Sequence, residues 1–496
     1  MTGPREVHDA VVVGAGPNGL AAAVTLARAG LDVLVLEGQP TLGGGARTLD
    51  LGLASGVVHD LCSAVHPLAL ASPFLRQFDL RARGVELVLP EVSFAQPLPG
   101  RPAGLAYRDF DRTVAELGAD GAAWRRLLGP LVEAPEAVIA LALGDHRSVP
   151  PEVLSPAGAR AAVAFGAGIL EQGTRAWDLR FDGDVAPSLL MGVAAHAISP
   201  LPSLASAGTA LMLGSLGHSV GWPIPLGGSQ AIADALVADL RVHGGELRTD
   251  TPVTTWWQLP RARAYLFDTS PRVLASVWGD RMRPSVRAAL ALFRFGNAAA
   301  KVDYVLSGPV PWADPRIAAA GTVHLGGTRA EMAAAEAEVA AGRHAERPMS
   351  LVSDPTVADP SREVGGLRPL WTYAHVPAGS DVDITETMTT HIERYAPGFR
   401  DVVVTSRCIP ASQMWRHNAS YTGGDIASGA ITMWRMFARP RVAWNVYDGG
   451  VPGVYLCSQS TAPGPGVHGM SGWHAARRAL KERFGIARTP ELDPTA

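Results

Sequence analysis

The stretch Ala10–Thr48, AVVVGAGPNGLAAAVTLARAGLDVLVLEGQPTLGGGART, decides how the rest of this 496-residue chain is read. Ala10 to Val13 is an apolar, β-branched run that stops at Gly14, and apolar residues then recur at helical spacing from Asn18 to Ala29, which reads as strand, tight turn, helix. Gly14 permits the turn, Gly16 lets a pyrophosphate approach the backbone, and Gly19 lets the helix pack closely on the strand. The free N–H groups of the first helical turn, from Asn18 onward after Pro17, then face the phosphates. A second apolar strand, Asp32 to Leu36, follows Gly30 and ends in Glu37, about 20 residues after the glycines, where a carboxylate can accept both ribose hydroxyls. Gly38 beside it is a further cofactor-binding candidate. The expected ligand is a dinucleotide with a free 2′-hydroxyl.

The residues just after Glu37 narrow the choice of dinucleotide. Gly43, Gly44 and Gly45 precede Ala46, Arg47 and Thr48, so backbone amides, a guanidinium and a hydroxyl are presented just beyond the ribose-binding strand. Such a group can hold a second length of phosphate and ribityl chain. An NAD site needs no second clamp of this kind, and FAD sites commonly have one.

Length and composition bound the alternatives. The chain is long enough for two or three domains and a large core. With 43 basic against 46 acidic residues the net charge is −3, which points to neither a nucleic-acid footprint nor an acidic tail. Cys62, Cys408 and Cys457 are too few and too scattered for a disulfide framework or a CxxC metal site, which fits a reducing compartment. The first ten residues, MTGPREVHDA, carry no apolar core of signal-peptide length, and a cytoplasmic location is expected. Between Asp184 and Asp234 there is no Asp, Glu, Lys or Arg, yet Pro200, Pro202, Pro223 and Pro225 interrupt the segment too often for a membrane span. It reads either as buried helical core, or as a segment that lines an apolar tunnel or rests peripherally on a membrane surface.

Beyond the clamp, LCSAVHPLALASPFL (61–75) is uncharged and places His66 before Pro67, a candidate for the substrate pocket and for proton handling. WPIPLGGSQAIADAL (222–236) repeats glycine-turn-helix chemistry, with Ser229 as a cap, and leads into a short strand ending near Val253, whose backbone would bond an adenine edge. His417, Asn418, Tyr421 and Asp425 crowd a glycine turn and could make a polar site. Near the C-terminus the strand GVYLC is followed by the loop SQSTAPGPGVHG and a helix from Met470. That loop, including Ser460, Thr461, Gly466 and Val467, offers free N–H groups at a helix start to developing negative charge. His468 is the second candidate for proton handling.

Taken together, GAGPNGLAAAVTLARAGLDVLVLE, GGGART, PLGGSQAI and GVYLCSQSTAPGPGVHGMSGWHAA resemble the phytoene desaturase-like flavoproteins, which include carotenoid desaturases, carotenoid isomerases and retinol saturases. The resemblance implies an α/β chain with a glutathione-reductase-like, Rossmann-like FAD domain and an inserted α+β substrate domain. It implies FAD held by Gly14, Gly16, Gly19, Glu37, Gly43, Gly44, Thr48, Val253, Thr461, Gly466 and Met470. The FAD domain is expected from residues 1–75, 215–285 and 440–496, and the substrate domain from 76–214 and 286–439. The implied activity is hydride transfer between the flavin and a C–C bond of an apolar, isoprenoid- or lipid-like substrate. A redox-neutral isomerase, an amine-oxidase-like enzyme and a non-catalytic flavin-binding partner are the alternatives. No metal site is expected, and the oligomeric state is not readable.

Overall fold

The computed structural model describes residues 6–145 and 147–494. Five parallel strands form a first sheet in the order Val454–Leu456, Arg261–Phe267, Val7–Val13, Val33–Leu36, Glu246–Arg248. The two strands predicted from Val/Leu runs pair in register, Ala10 with Val33 through Val13 with Leu36. Continuous apolar runs suit a parallel sheet because both faces are covered. Ala10, Val12, Val33 and Val35 point to one layer with the helices Pro17–Arg28, Gln230–Val242 and Met470–Ala479. Val11, Val13, Leu34 and Leu36 point to the other, against Leu274, Val277 and Trp278 of helix Pro271–Trp278.

The first layer closes on bare backbone. A Cβ on Gly19 would lie 2.0 Å from the Gly14 carbonyl oxygen, and one on Gly472 would lie 1.8 Å from the Asn18 carbonyl oxygen. The terminal helix therefore crosses the first helix at a point where only glycine fits.

A second sheet of seven strands runs in the order Val403–Ile409, Ala298–Leu306, Arg368–Val376, Ser350–Ser353, Ala320–Leu325, Val92–Leu98, Arg101–Tyr107. Its pairs are antiparallel except Ala320–Leu325 with Val92–Leu98. Alternation sorts each strand between two faces. Val302, Tyr304, Val323, Leu370 and Ala374 pack against Ile384, Met388 and Ile392 of helix Thr385–Glu393 and its approach. The opposite face carries Lys301, Asp303, Thr322, His324, Leu351, Trp371, Tyr373 and His375 and looks toward the first sheet. The uncharged segment supplies helices Val185–Ala194 and Leu204–His218, which lie against this second sheet. Among the described residues no helix is long and apolar enough to cross a membrane.

Two local expectations are corrected. The strand expected to end near Val253 ends at Arg248, and residues 249–254 continue as loop. Ser229 precedes helix Gln230–Val242 without a side-chain cap bond; its hydroxyl donates to the Ser63 carbonyl, and its oxygen faces His66 Nε2.

Gly472→Ala should destabilise the protein by about 1–3 kcal/mol or more, since the added methyl meets a backbone carbonyl that cannot rotate away. Urea denaturation of the variant checks this, and an unchanged midpoint would show that the two helices do not depend on this close approach.

Candidate functional site

The Gly14–Gly19 turn forms one wall of a cavity of about 630 Å³. Gly14 sits at φ +97°, a conformation that favours glycine, and a Cβ there would lie 2.5 Å from the Asp268 carbonyl oxygen. Asp268, at the end of strand Arg261–Phe267, accepts the Gly19 N–H at 2.8 Å through Oδ2. Burial pushes its carboxyl up to about 7, opposed by that N–H bond and helped by the nearby Glu37 charge. Glu37 is anchored at both oxygens, Oε2 accepting Ala15 N–H at 2.7 Å and Oε1 accepting Gln39 N–H at 2.9 Å, and it lines the cavity. Pro17, Asn18, Gly38, Gly44, Gly45 and Val253 line it as well. The side-chain oxygen of Asn18 has no protein partner there.

Several residues expected to bind cofactor are bonded within the protein and do not line the cavity. The Arg47 guanidinium bonds Gly44 O at 2.8 Å, Thr41 Oγ1 at 3.0 Å and the His417 carbonyl, so it fastens the glycine clamp from behind. Gly43 donates its N–H to Ala15 O at 2.9 Å, which joins the clamp to the first turn. Thr48 donates to Asp60 Oδ1 at 2.7 Å and accepts Gln230 N–H at 3.1 Å. Ser460 donates to Ser428 O and Thr461 to Ser458 O. Met470 opens the terminal helix with its N–H on His468 Nδ1. These bonds have one feature in common, which is that a hydroxyl, guanidinium or amide close to a tight turn is used to hold that turn. Gly466 and Val467 of the terminal loop do line the cavity, whereas Gly19 meets Gly14 and Asp268 behind the wall.

The two histidines nominated for proton handling separate. His468 is fully buried, with Nε2 bonded to Gly464 O at 3.1 Å and Nδ1 accepting Met470 N–H at 3.0 Å. Both nitrogens are occupied by backbone groups, and the ring does not line the cavity. His66 does line the cavity. Its Nε2 lies 2.8 Å from Ser229 Oγ, whose single hydrogen is committed to Ser63 O at 2.5 Å. His66 must therefore carry its proton on Nε2 and present Nδ1, which has no protein partner, as a bare acceptor. Burial pushes the imidazole down to about 4, so it is neutral at neutral pH.

Of the polar group near the glycine turn, His417, Asn418 and Tyr421 line the cavity. Asp425 does not, because its carboxylate accepts N–H groups of Gly296, Ala427 and Gly429.

Beyond the dinucleotide end the cavity opens into a chamber that sequence patterns did not reveal. Thr322, Leu351, Trp371 and Tyr373 of the second sheet line it, with His196, Ile198, Met212, Leu213 and Trp222 from the uncharged segment. Leu213 faces the cavity, whereas Met191 and Leu216 are core. Among the described lining residues there is no Lys or Arg, and the only carboxylates are Glu37 and Asp268 at the dinucleotide end. The two-residue alternation in GTVHL and LWTYAHV was the available signal for the sheet residues.

Residues 12–78 match the family model described as an NAD(P)-binding Rossmann-like domain. The rat pyridine nucleotide-disulfide oxidoreductase domain-containing protein 2 is 24% identical over 556 aligned positions, covering 96% of this chain and 94% of its own length. An uncharacterized protein of Mycobacterium tuberculosis is 27% identical over 543 positions, covering 95% and 97%. Among solved structures, a redesigned putrescine oxidase superposes with TM-score 0.60 at 17% identity, covering 97% of this chain and 99% of that one. Cyclohexylamine oxidase from Brevibacterium oxydans IH-35A superposes with TM-score 0.55 at 14% identity, covering 98% and 99%. The chain has the mixed α/β architecture of these flavin amine oxidases, with a Rossmann-like dinucleotide domain.

The Asp268 carboxyl holds its proton to about pH 7 in the folded protein, above its ordinary value of 3.8. The folded state thus binds more protons than the unfolded chain between those values, and stability falls as pH rises through that window. Cofactor-free protein should lose roughly 1–4 kcal/mol from pH 4 to pH 8 through this group. Asp268→Asn, which keeps an oxygen for Gly19 N–H, should flatten that part of the profile. Equal pH slopes for the two proteins in chemical denaturation would refute the assignment.

Proposed function

We propose that this protein is an FAD-dependent oxidoreductase that forms or removes a C–C double bond in an uncharged, largely apolar molecule. The observation that carries the reading is the single cavity running from the glycine turn and Glu37 into a chamber whose described lining has no charged side chain. Bare backbone at Gly14 and Gly44, the unpartnered Asn18 oxygen and the anchored Glu37 carboxylate fit a dinucleotide. Gly44, Gly45, Gly466 and Val467 extend that wall toward the chamber, which supports FAD over a nicotinamide dinucleotide. The resemblance to phytoene desaturase-like flavoproteins and the shared fold with flavin amine oxidases support the same cofactor. Bound FAD supplies a hydride acceptor or donor without a covalent bond to the protein.

The chain itself contributes positioning and dryness. Leu213, Trp222, Leu351 and Trp371 exclude water and orient an apolar chain beside the dinucleotide end. His66, neutral and with Nδ1 bare, is the lining residue to which proton transfer at the reacting carbon is assigned.

Amine oxidation is the second reading, favoured by the architecture shared with putrescine oxidase and cyclohexylamine oxidase. Against it, an ammonium group in the chamber would meet no carboxylate among the described lining residues.

Purified protein should be yellow and release intact FAD on heating. Glu37→Gln should weaken FAD binding about 10- to 100-fold, because a charge-assisted bond worth about 1.5–3 kcal/mol is lost. Under anaerobic conditions phytoene should reduce the oxidised flavin, or its unsaturated product reoxidise the reduced flavin. Leu213→Trp should slow that step while FAD stays bound. Fastest bleaching by putrescine or cyclohexylamine would replace this reading with amine oxidation.

A further inference from the structure

We propose that the sheet end of the chamber is a subsite for a neutral oxygen, a hydroxyl or carbonyl, carried by an otherwise apolar substrate, with His196 and Thr322 making the contact. This rests on the uncharged-substrate reading above and specifies its polar end.

His196 sits just after helix Val185–Ala194 and lines the cavity. Its Nε2 lies 2.9 Å from Nε2 of His324, a fully buried residue of strand Ala320–Leu325. One proton lies between these two nitrogens, so one ring donates and the other accepts. When His324 donates, His196 offers a Nδ1–H to the cavity. When His196 donates, it offers a bare Nδ1. The pair can thus serve an acceptor such as a carbonyl, or a hydroxyl in either sense.

Trp222 holds both rings edge-on, at centroid distances of 5.7 Å from His196 and 6.2 Å from His324, and is itself fixed by Nε1–H on Leu213 O at 3.0 Å. The dyad is therefore oriented before any ligand arrives.

Thr322 is the second, independent observation. It is 2% exposed, lines the cavity, and its Oγ1 has no hydrogen-bond partner. Two residues before His324 on the same strand, it shares the face that carries Trp371 and Tyr373. A buried hydroxyl without a partner is costly, and a ligand oxygen would satisfy it.

The same end discriminates against charge. Burial, with a smaller contribution from His375, pushes His196 down to about 3, and burial holds His324 well below its ordinary value. Both rings are neutral at neutral pH. Glu336 is on the same side of the sheet as His375, fully buried and 2.5 Å from its Nδ1, but it does not line the cavity. Lys301 and Asp303 on the same face are paired with each other, as are Glu336 and His375, and none of the four lines the cavity. A carboxylate or an ammonium would therefore find no free counter-charge among the described lining residues at this end.

The test uses the FAD-loaded protein with four probes of equal chain length, 1-decanol, decane, decanoate and decylamine, titrated by flavin absorbance perturbation and calorimetry. Decanol should bind roughly three- to tenfold more tightly than decane, the value of one neutral hydrogen bond, and more tightly than either ion. His196→Phe should erase the alcohol-over-alkane ratio while leaving decane affinity and FAD content unchanged. Thr322→Val should reduce the ratio without disturbing the ring pair, and it decides the matter if the His196 variant fails to fold. An unchanged ratio in Thr322→Val, or equal binding of decanol and decane by the parent protein, overturns the subsite and leaves the uncharged-substrate reading standing. Tightest binding of decylamine, or its reduction of the flavin, overturns that reading itself, and absence of saturable binding by all four overturns both.

Discussion

Backbone meeting backbone at the start of the first helix is the constraint on which the rest depends. Gly19 stands against the Gly14 carbonyl, Gly472 against the Asn18 carbonyl, and the Asp268 carboxyl closes on Gly19 N–H. These contacts bring residues from the N-terminal, middle and C-terminal parts of the chain to one point. They also set where the first helical turn faces the cavity. Side chains at these glycines would separate the helix from the strand ends, and the dinucleotide wall would lose its shape.

A second junction ties that wall to the other sheet. The fully buried Asp60 takes Thr48 Oγ1–H and Ser229 N–H on one oxygen and Arg362 Nη1–H on the other, while Arg362 also bonds Val58 O. Desolvation opposes the Asp60 charge, but Arg362 and the N–H and hydroxyl donors outweigh it and hold the carboxyl below its ordinary value. Removing one partner of such a pair leaves a buried charge uncompensated, at a cost of about 3–5 kcal/mol. The clamp hydroxyl, the turn before helix Gln230–Val242 and the segment after strand Ser350–Ser353 thus share one anion. This explains why Thr48 is committed to the scaffold.

The dinucleotide fold was legible because its signals are local: a β-branched run, glycines at fixed spacing, a helix and an acidic strand end. The chamber was not, because its parts are far apart in sequence. His196 meets His324 across 128 positions, and Trp371 and Tyr373 reach the same space only through the strand order of the second sheet. Composition identified the uncharged segment but could not separate core from lining, and both occur: Met191 and Leu216 are packed inside while Leu213 faces the cavity. At Arg47 and His468 short-range bonds use a group that the motif alone presents as free. Hydrogen-bond satisfaction is a property of the folded neighbourhood, and neither residue's neighbours can be read from spacing.

The electrostatic layout stems from the same separation of parts. The Glu37 carboxylate at the dinucleotide end receives two amides, from Ala15 and Gln39, whereas Asp268 receives only Gly19 N–H and burial keeps its proton on to about pH 7. The chamber is lined mainly by side chains of sheet and helix residues, and among the described lining residues no Lys or Arg is there to support an anion. Its histidines respond as buried bases do, with His66, His196 and His417 all pushed below the range in which they would carry charge at neutral pH. A molecule spanning both ends is therefore oriented by solvation alone, its charged part drawn to the turn and its uncharged part to the sheet. Reversing it would bury charge without compensation, at a cost of several kcal/mol. That penalty exceeds the roughly 0.5–1.5 kcal/mol of a single neutral hydrogen bond, so the distribution of charge along the cavity, ahead of any particular side chain, would set the orientation of a bound ligand.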